Sequence, residues 1–207
     1  MESDRTPQEK FWAGEFGDAY IARNDAPELL ASYVHLLSNA LRRAGRIDSA
    51  IEFGANIGLN LHALRTLRPK IDLAAIEINE RAVARLTAID GVRVHHGSIV
   101  DAHAQKTFDL SFVAGVLIHL APELLPQVYR RLYEASHRYI LISEYYNPAP
   151  VMIPYRGHDE RLYKRDFAGE MLDAFPGLKL IDYGFQYRRD PNFPHDDVTW
   201  FLMEKVA

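Results

Sequence analysis

The chain has 207 residues, 48% hydrophobic and 25% charged, with a net charge of −4 and no cysteine. That size and balance suit one soluble domain with a full core, and the negative charge offers no bulk attraction to nucleic acid or an anionic membrane. The lack of cysteine excludes disulfides, zinc–thiolate sites, iron–sulfur clusters and cysteine nucleophiles. The first ten residues are polar and lack the apolar region of a secretory signal. No apolar run approaches membrane-spanning length, so a cytoplasmic location is expected.

Aromatics and glycines are dense in residues 11–24, ahead of any strand signal. Such a cluster packs on the core as a lid, and Trp12, Tyr20 and Arg23 are then placed to close over a ligand. A helix is predicted over residues 26–45, with Pro27 in its first turn and Gly45 at its end. Leu29, Leu30, Tyr33, Val34, Leu36, Leu37, Ala40 and Leu41 follow at helical spacing.

The apolar run Ser49–Phe53 reads as a strand, and Leu59–Leu67 as a helix. Between them lies Gly54-Ala55-Asn56-Ile57-Gly58. Strand, glycine-rich turn and helix form the local plan of a nucleotide-binding α/β unit. Gly54 permits a sharp turn, and Gly58 is expected to let the backbone approach a ligand closely. Asn56 tolerates left-handed backbone angles. The helix that follows aims free N–H groups at the same place. This Gly-x-Asn-x-Gly differs from the dinucleotide fingerprint, and Glu52 precedes its first glycine. An acid there suits a ligand with a cationic amino-acid end better than a pyrophosphate.

A second strand, residues 72–76, ends at Glu77. The interval from Gly58 is about 20 residues, the spacing at which an acid reaches a ribose. Asn79 caps the next helix, with Ala82, Val83, Leu86 and Ile89 as its buried stripe and Gly91 at its end. A third strand, Val92–His96, leads to Gly97-Ser98-Ile99. Ser98 or Asp101 can receive an adenine amino group while Ile99 lies against the ring. His95 and His96 point to opposite faces of a strand, so no metal site is expected.

The fourth strand, residues 108–113, runs into Ala114 and Gly115, with His119 just beyond. A ligand across the strand ends would meet all three. A helix from Pro122 carries Leu125, Val128, Tyr129 and Leu132. The fifth strand, residues 139–143, ends in Glu144-Tyr145-Tyr146, again at the carboxyl edge where open α/β sheets bind ligands. Residues 147–165 read as an ordered, proline-stiffened loop bearing Tyr155, Arg156, His158 and Lys164, a set suited to recognition. A helix over 167–175 and strands over 178–188 and Val198–Lys205 close the chain. The last two strands have no helical crossover, which implies an antiparallel strand at the sheet edge.

The expected fold is therefore α/β: a doubly wound, mostly parallel seven-stranded sheet with helices on both faces and a C-terminal antiparallel hairpin. One domain is expected, with a helical lid over 1–45, a cofactor-binding core over 46–146, and a substrate loop and hairpin over 147–207.

On the residues Glu52 to Gly58, on Glu77, on Phe108-Asp109 and on the terminal hairpin, the chain resembles the class I S-adenosylmethionine-dependent methyltransferases. Asn56 stands where that pattern has its central glycine. More narrowly, residues 11–18, 144–148, 154–158 and 189–194 look like those of methylases associated with pseudaminic acid biosynthesis. The resemblance implies S-adenosylmethionine as cofactor. Gly54, Ala55, Asn56 and Gly58 would lie under its methionyl and ribose parts, and Glu52 would hold the amino end. Glu77, with Ile78 beside it, would take the ribose hydroxyls. Ser98 and Ile99 would flank adenine, and Ala114 would offer a carbonyl to the amino group. Tyr20 and Arg23 would reach the methionine end.

A hydroxyl acceptor then needs a base, for which His119 is the first candidate and Tyr145 and His158 the next. Arg156, Lys164 and Arg188, with Tyr146 and Tyr155, could hold an anionic small-molecule acceptor such as a sugar. Partners beyond that molecule are not expected, with the chain a monomer or homodimer. The competing readings are an NAD(P)-dependent oxidoreductase and a non-catalytic nucleoside-binding accessory protein.

Overall fold

The computed structural model describes residues 5–23, 29–155 and 158–206, and of residues 22–23, 154–155 and 158–161 the backbone alone. Helices α1 (Pro7–Ala13), α2 (Glu15–Arg23) and α3 (Leu29–Ala40) precede the first strand. Then come β1 (Ser49–Phe53), α4 (Leu59–Leu67), β2 (Asp72–Glu77), α5 (Glu80–Thr87), β3 (Val92–His96) and β4 (Phe108–Ala114). They are followed by α6 (Leu125–Ala135), β5 (Ser136–Glu144), β6 (Val151–Tyr155), β7 (His158–Lys164), α7 (Phe167–Ala174), β8 (Leu178–Gln186) and β9 (Val198–Lys205).

Seven strands form one sheet in the order β3-β2-β1-β4-β5-β9-β8. The pairings among β1 to β5 are parallel, and β9 runs antiparallel to both β5 and β8. The sequence reading placed an antiparallel strand at the edge. The structure instead inserts β9 between β5 and β8, so that β8 forms the edge. The order of the strands reverses at β1, with β2 and β3 laid down on one side of it and β4 and β5 on the other, which opens a crevice at the carboxyl ends of β1 and β4.

Both sheet faces are buried, so the inner strands carry apolar residues on both sides. Ile51, Phe53, Val113, Ile140 and Ile142 face one core with Val128, Leu132, Phe167 and Met171. Ala50, Leu110, Phe112, Tyr139 and Leu141 face the other with Leu36, Leu37, Leu61 and Leu64. At the amino ends of β1 and β4, Asp109 Oδ2 accepts from the backbone N–H groups of Asp48 and Ser49, at 2.8 and 2.9 Å. No helix among the described residues is long and apolar enough to cross a membrane.

Residues 147–165 depart from the expected loop. Strands β6 and β7 pair as an antiparallel ribbon outside the main sheet. Pro148 and Pro150 precede β6, and Pro154, the one proline within the ribbon, is tolerated because a two-stranded ribbon is all edge and because it sits at the irregularity between Ile153 and Tyr155. At the N-terminus, Thr6 and Glu9 form a reciprocal capping box that starts α1. Phe11, Trp12, Phe16 and Tyr20 then pack ring to ring across α1 and α2.

Candidate active site

The carboxyl ends of the central strands open into one cavity of about 290 Å³, small-molecule size. Loops after β1, β2, β3, β4 and β5 line it, as do α1, α2, α3 and the segment leading into β9.

The glycine turn is held from beneath. Gly54 and Ala55 donate their backbone N–H groups to Ile76 O. Asn56 adopts φ 47°, the left-handed geometry expected of it, and Gly54 and Gly58 have φ 79° and 86°. Gly58 serves differently from the sequence expectation. It does not line the cavity, and a Cβ there would press on Leu86 of α5 and on Ile89 just past its end, at 2.9 and 2.7 Å. Its lack of a side chain serves the left-handed turn and helix packing.

Glu52 is buried, and its Oε1 accepts from Asn60 Nδ2 at 2.6 Å. Its Oε2 is also buried and has no hydrogen-bond partner among the described residues. Burial raises its pKa well above the usual carboxylate range; the Asn60 bond opposes this and Glu77 adds to it. Glu77, at the tip of β2, is buried as well. It accepts three backbone N–H bonds, from Asn56 on Oε2 and from Ile78 and Asn79 on Oε1, at 2.7 to 2.8 Å. It therefore ties the glycine turn to the loop after β2 and keeps one lone pair for a ligand. Burial raises its pKa too, against those three bonds.

Glu144 ends β5. Its Oε1 accepts from the N–H groups of Val116 and Leu117 at 2.8 and 2.9 Å, while its Oε2 is buried without a partner among the described residues. These bonds shape the turn that carries His119. Burial pushes Glu144 up to about 7.

Most residues expected at a cofactor site meet here. Trp12, Tyr20, Glu52, Gly54, Ala55, Asn56, Glu77, Ile78, Ser98, Ile99 and Ala114 all line the cavity, together with His119 and Tyr145. His119 is buried against Trp12, ring centroids 4.6 Å apart, and the Trp12 carbonyl accepts from Asn79 Nδ2. Asp101 is exposed and does not line the cavity.

The expected acceptor residues gather less well. Tyr146 lies outside, against Phe201, and Arg188 is an exposed partner of Asp197. Lys164 sits 5.1 Å from the Tyr145 ring. The side chains of Arg23, Tyr155 and His158, and all of Arg156, lie outside the described residues.

The sequence reading missed Asn60, Tyr33, His195 and Asp196, which also line the cavity. Asn60 has a local signal, an amide in the first turn after the glycine loop. His195 has none, because a long-range contact brings it to Tyr33, ring centroids 4.8 Å apart.

No protein-family model and no curated protein matches this sequence. Solved structures do. The chain superposes on a Burkholderia thailandensis 1,6-didemethyltoxoflavin-N1-methyltransferase holding S-adenosylhomocysteine, with TM-score 0.71 and 14% identity over 96% of this chain and 87% of that one. A Leishmania major S-adenosylmethionine-dependent methyltransferase gives TM-score 0.69 and 14% identity, over 96% and 87%. The plantazolicin methyltransferase BpumL, with S-adenosylhomocysteine and a substrate analogue, gives 0.66 and 11%, over 96% and 95%. The chain has the Rossmann-like methyltransferase fold. At such identities the likeness is one of architecture, and the chemistry must be argued from the cavity.

Proposed function

We propose that this protein is an S-adenosylmethionine-dependent methyltransferase acting on a small-molecule acceptor. The observation that carries the reading is Glu52: it lines the cavity beside a left-handed glycine turn, and one of its carboxylate oxygens is buried with no partner among the described residues. A cationic amino group satisfies that oxygen, whereas a pyrophosphate is repelled by it. The fold and the placement of Glu77 at the next strand tip support the same ligand. When bound, the cofactor supplies a methyl group made electrophilic by its sulfonium.

In this reading the chain positions rather than activates. Glu52 anchors the amino end, and Glu77 offers its remaining lone pair to a ribose hydroxyl. Ile78, Ser98 and Ile99 flank the base, and the Ala114 carbonyl adds to the amino-end contacts. Trp12, backed by His119, covers the nucleoside, and Glu144 holds the turn that presents His119. Excluding water and fixing the line of attack account for most of the acceleration such a displacement requires.

The acceptor is proposed to take the methyl group on oxygen or nitrogen. An anionic sugar, as in the narrower resemblance to pseudaminic acid-associated methylases, is supported by Lys164 beside Tyr145. It is also supported by Trp12, Gly17 and Tyr145, cavity residues that fall in two of the four resembling segments.

Calorimetry with S-adenosylhomocysteine and with NAD tests the cofactor; binding of NAD alone ends the proposal. Transfer of a labelled methyl group to a panel of sugar nucleotides and small acids tests the acceptor class. Methylation of none of the sugars, but of an uncharged heterocycle, rejects the narrower form.

A further inference from the structure

The cavity is lined by more residues than those assigned to the nucleoside. Along the sheet, the tips of β2 and β1 carry Glu77 and Glu52, and beyond β4 come the tip of β5 and the start of β9. That far end is lined by Ser143, Tyr145, Tyr33, His195 and Asp196. Among the described residues no lysine or arginine lines the cavity wall.

His195 stands out there. Both ring nitrogens are buried, and neither makes a hydrogen bond of good geometry with any of the described residues. A buried imidazole with nothing to bond is costly, so a cavity beside it implies a partner that arrives with a ligand. Burial lowers its pKa, opposed by the carboxylate and backbone of Asp196, so the ring is neutral at pH 7 and able to accept a proton. Tyr33 of α3 packs on it and Asp196 adjoins it in its own segment, while Tyr20 of α2 and Glu52 of β1 act on Tyr33. Tyr33, pressed upward by burial with Tyr20, Glu52 and Asp196 adding to it, stays a neutral phenol.

Resting on the methyltransferase reading, we propose that His195 is the general base of the acceptor subsite and that the acceptor presents a neutral O–H or N–H group to it. The acceptor's lone pair forms the new bond to the methyl carbon as the carbon–sulfur bond breaks. That bond's electron pair stays on sulfur, neutralising the sulfonium, and the acceptor's proton passes to a ring nitrogen of His195. The products are the methylated acceptor, S-adenosylhomocysteine and an imidazolium that loses its proton to water. His119, packed on Trp12 at the nucleoside end, then covers the cofactor and takes no proton.

The test uses two ligands with the same amino-acid tail. S-adenosylhomocysteine has no group on sulfur; sinefungin carries an amine where the methyl group would be. With ¹³C-labelled histidine, the titration of His195 is followed by NMR in the free chain and in both complexes. The expected result is that His195 binds its proton roughly tenfold less tightly in the sinefungin complex than with S-adenosylhomocysteine, since an ammonium donating to the ring favours its neutral form. His195→Ala, and His195→Phe as a second variant that keeps the contact with Tyr33, should weaken sinefungin about tenfold. Both should leave S-adenosylhomocysteine unchanged, which also shows the variants fold. Equal titration in both complexes, or equal weakening of both ligands, places His195 on the amino-acid tail and overturns the inference while the cofactor reading stands. Binding of neither ligand by the unaltered chain overturns both.

Discussion

Asn60 donates its side-chain N–H to Glu52 Oε1 across 2.6 Å, and the geometry leaves the second oxygen, Oε2, for whatever enters the cavity. The carboxylate is thus oriented before a ligand arrives, and its charge is held in check by burial. A ligand ammonium reverses that balance. Because the folded, empty chain raises this carboxyl, its contribution to stability is present below the unfolded pKa and is lost as pH rises through the folded value. Binding of S-adenosylhomocysteine should strengthen as pH rises from 5 to 8, since deprotonation of Glu52 completes the pair. Glu52→Gln should flatten that dependence and weaken binding at pH 8 by roughly tenfold, the scale of a charge-assisted hydrogen bond. Isothermal calorimetry across pH reads both, and an unchanged slope in the variant removes Glu52 from the amino-end contact.

Glu77 is both a ligand group and a clamp. Its three backbone hydrogen bonds join the glycine turn to the loop after β2. Glu77→Ala should therefore cost more than a lost ribose contact. We expect binding of S-adenosylhomocysteine to weaken by at least 30-fold, about 2 kcal/mol. We also expect faster hydrogen exchange at Asn56, Ile78 and Asn79 in the free chain. Weaker binding with unchanged exchange would limit Glu77 to the ligand.

Glu144 should make the stability of the free chain fall with pH. Its carboxyl is raised to about 7 by burial, so the folded state holds a proton that the unfolded state has lost above the usual carboxylate range. The stabilisation is present below the unfolded pKa and is lost as pH rises through 7. Between pH 5 and pH 8 the linkage amounts to roughly 2–3 kcal/mol. Glu144→Gln cannot ionise, so its stability relative to the unaltered chain should improve by that amount over the interval. Urea denaturation at the two pH values measures it, and a constant difference would show that Glu144 stays ionised.

The sheet was legible because its strands announce themselves locally, as apolar runs ended by Glu52, Glu77 and Glu144. Asn56 in a left-handed turn was legible for the same reason: the geometry follows from its own side chain and its glycine neighbours. What escaped depends on contacts between distant segments. Gly58 is needed where Leu86 of α5 and Ile89 beyond it pack, and nothing near it in sequence says so. The β6–β7 ribbon was hidden by Pro148 and Pro150 just ahead of it and by Pro154, which a two-stranded unit tolerates at its irregularity. His195 sits among prolines and aspartates like any surface turn, and only its packing on Tyr33 turns it inward.

Asp109 separates architecture from chemistry. It belongs to the residues that suggested the fold, yet it lies at the amino ends of β1 and β4, the edge opposite the cavity. There its Oδ2 accepts from the backbone of Asp48 and Ser49 and from Ser49 Oγ, the last at 3.1 Å. These bonds fix the start of β1 against β4 and touch no cavity residue. Asp109→Ala leaves two backbone donors to find water, a partial loss because the site is near the surface. The expected cost is about 2 kcal/mol, or a fall in Tm of roughly 4–8 °C for a chain of this length. Affinity for S-adenosylhomocysteine at 20 °C should not change. Calorimetric melting and ligand titration of the same preparation check the two halves together, and weakened binding without a lower Tm would contradict the assignment of Asp109 to strand register.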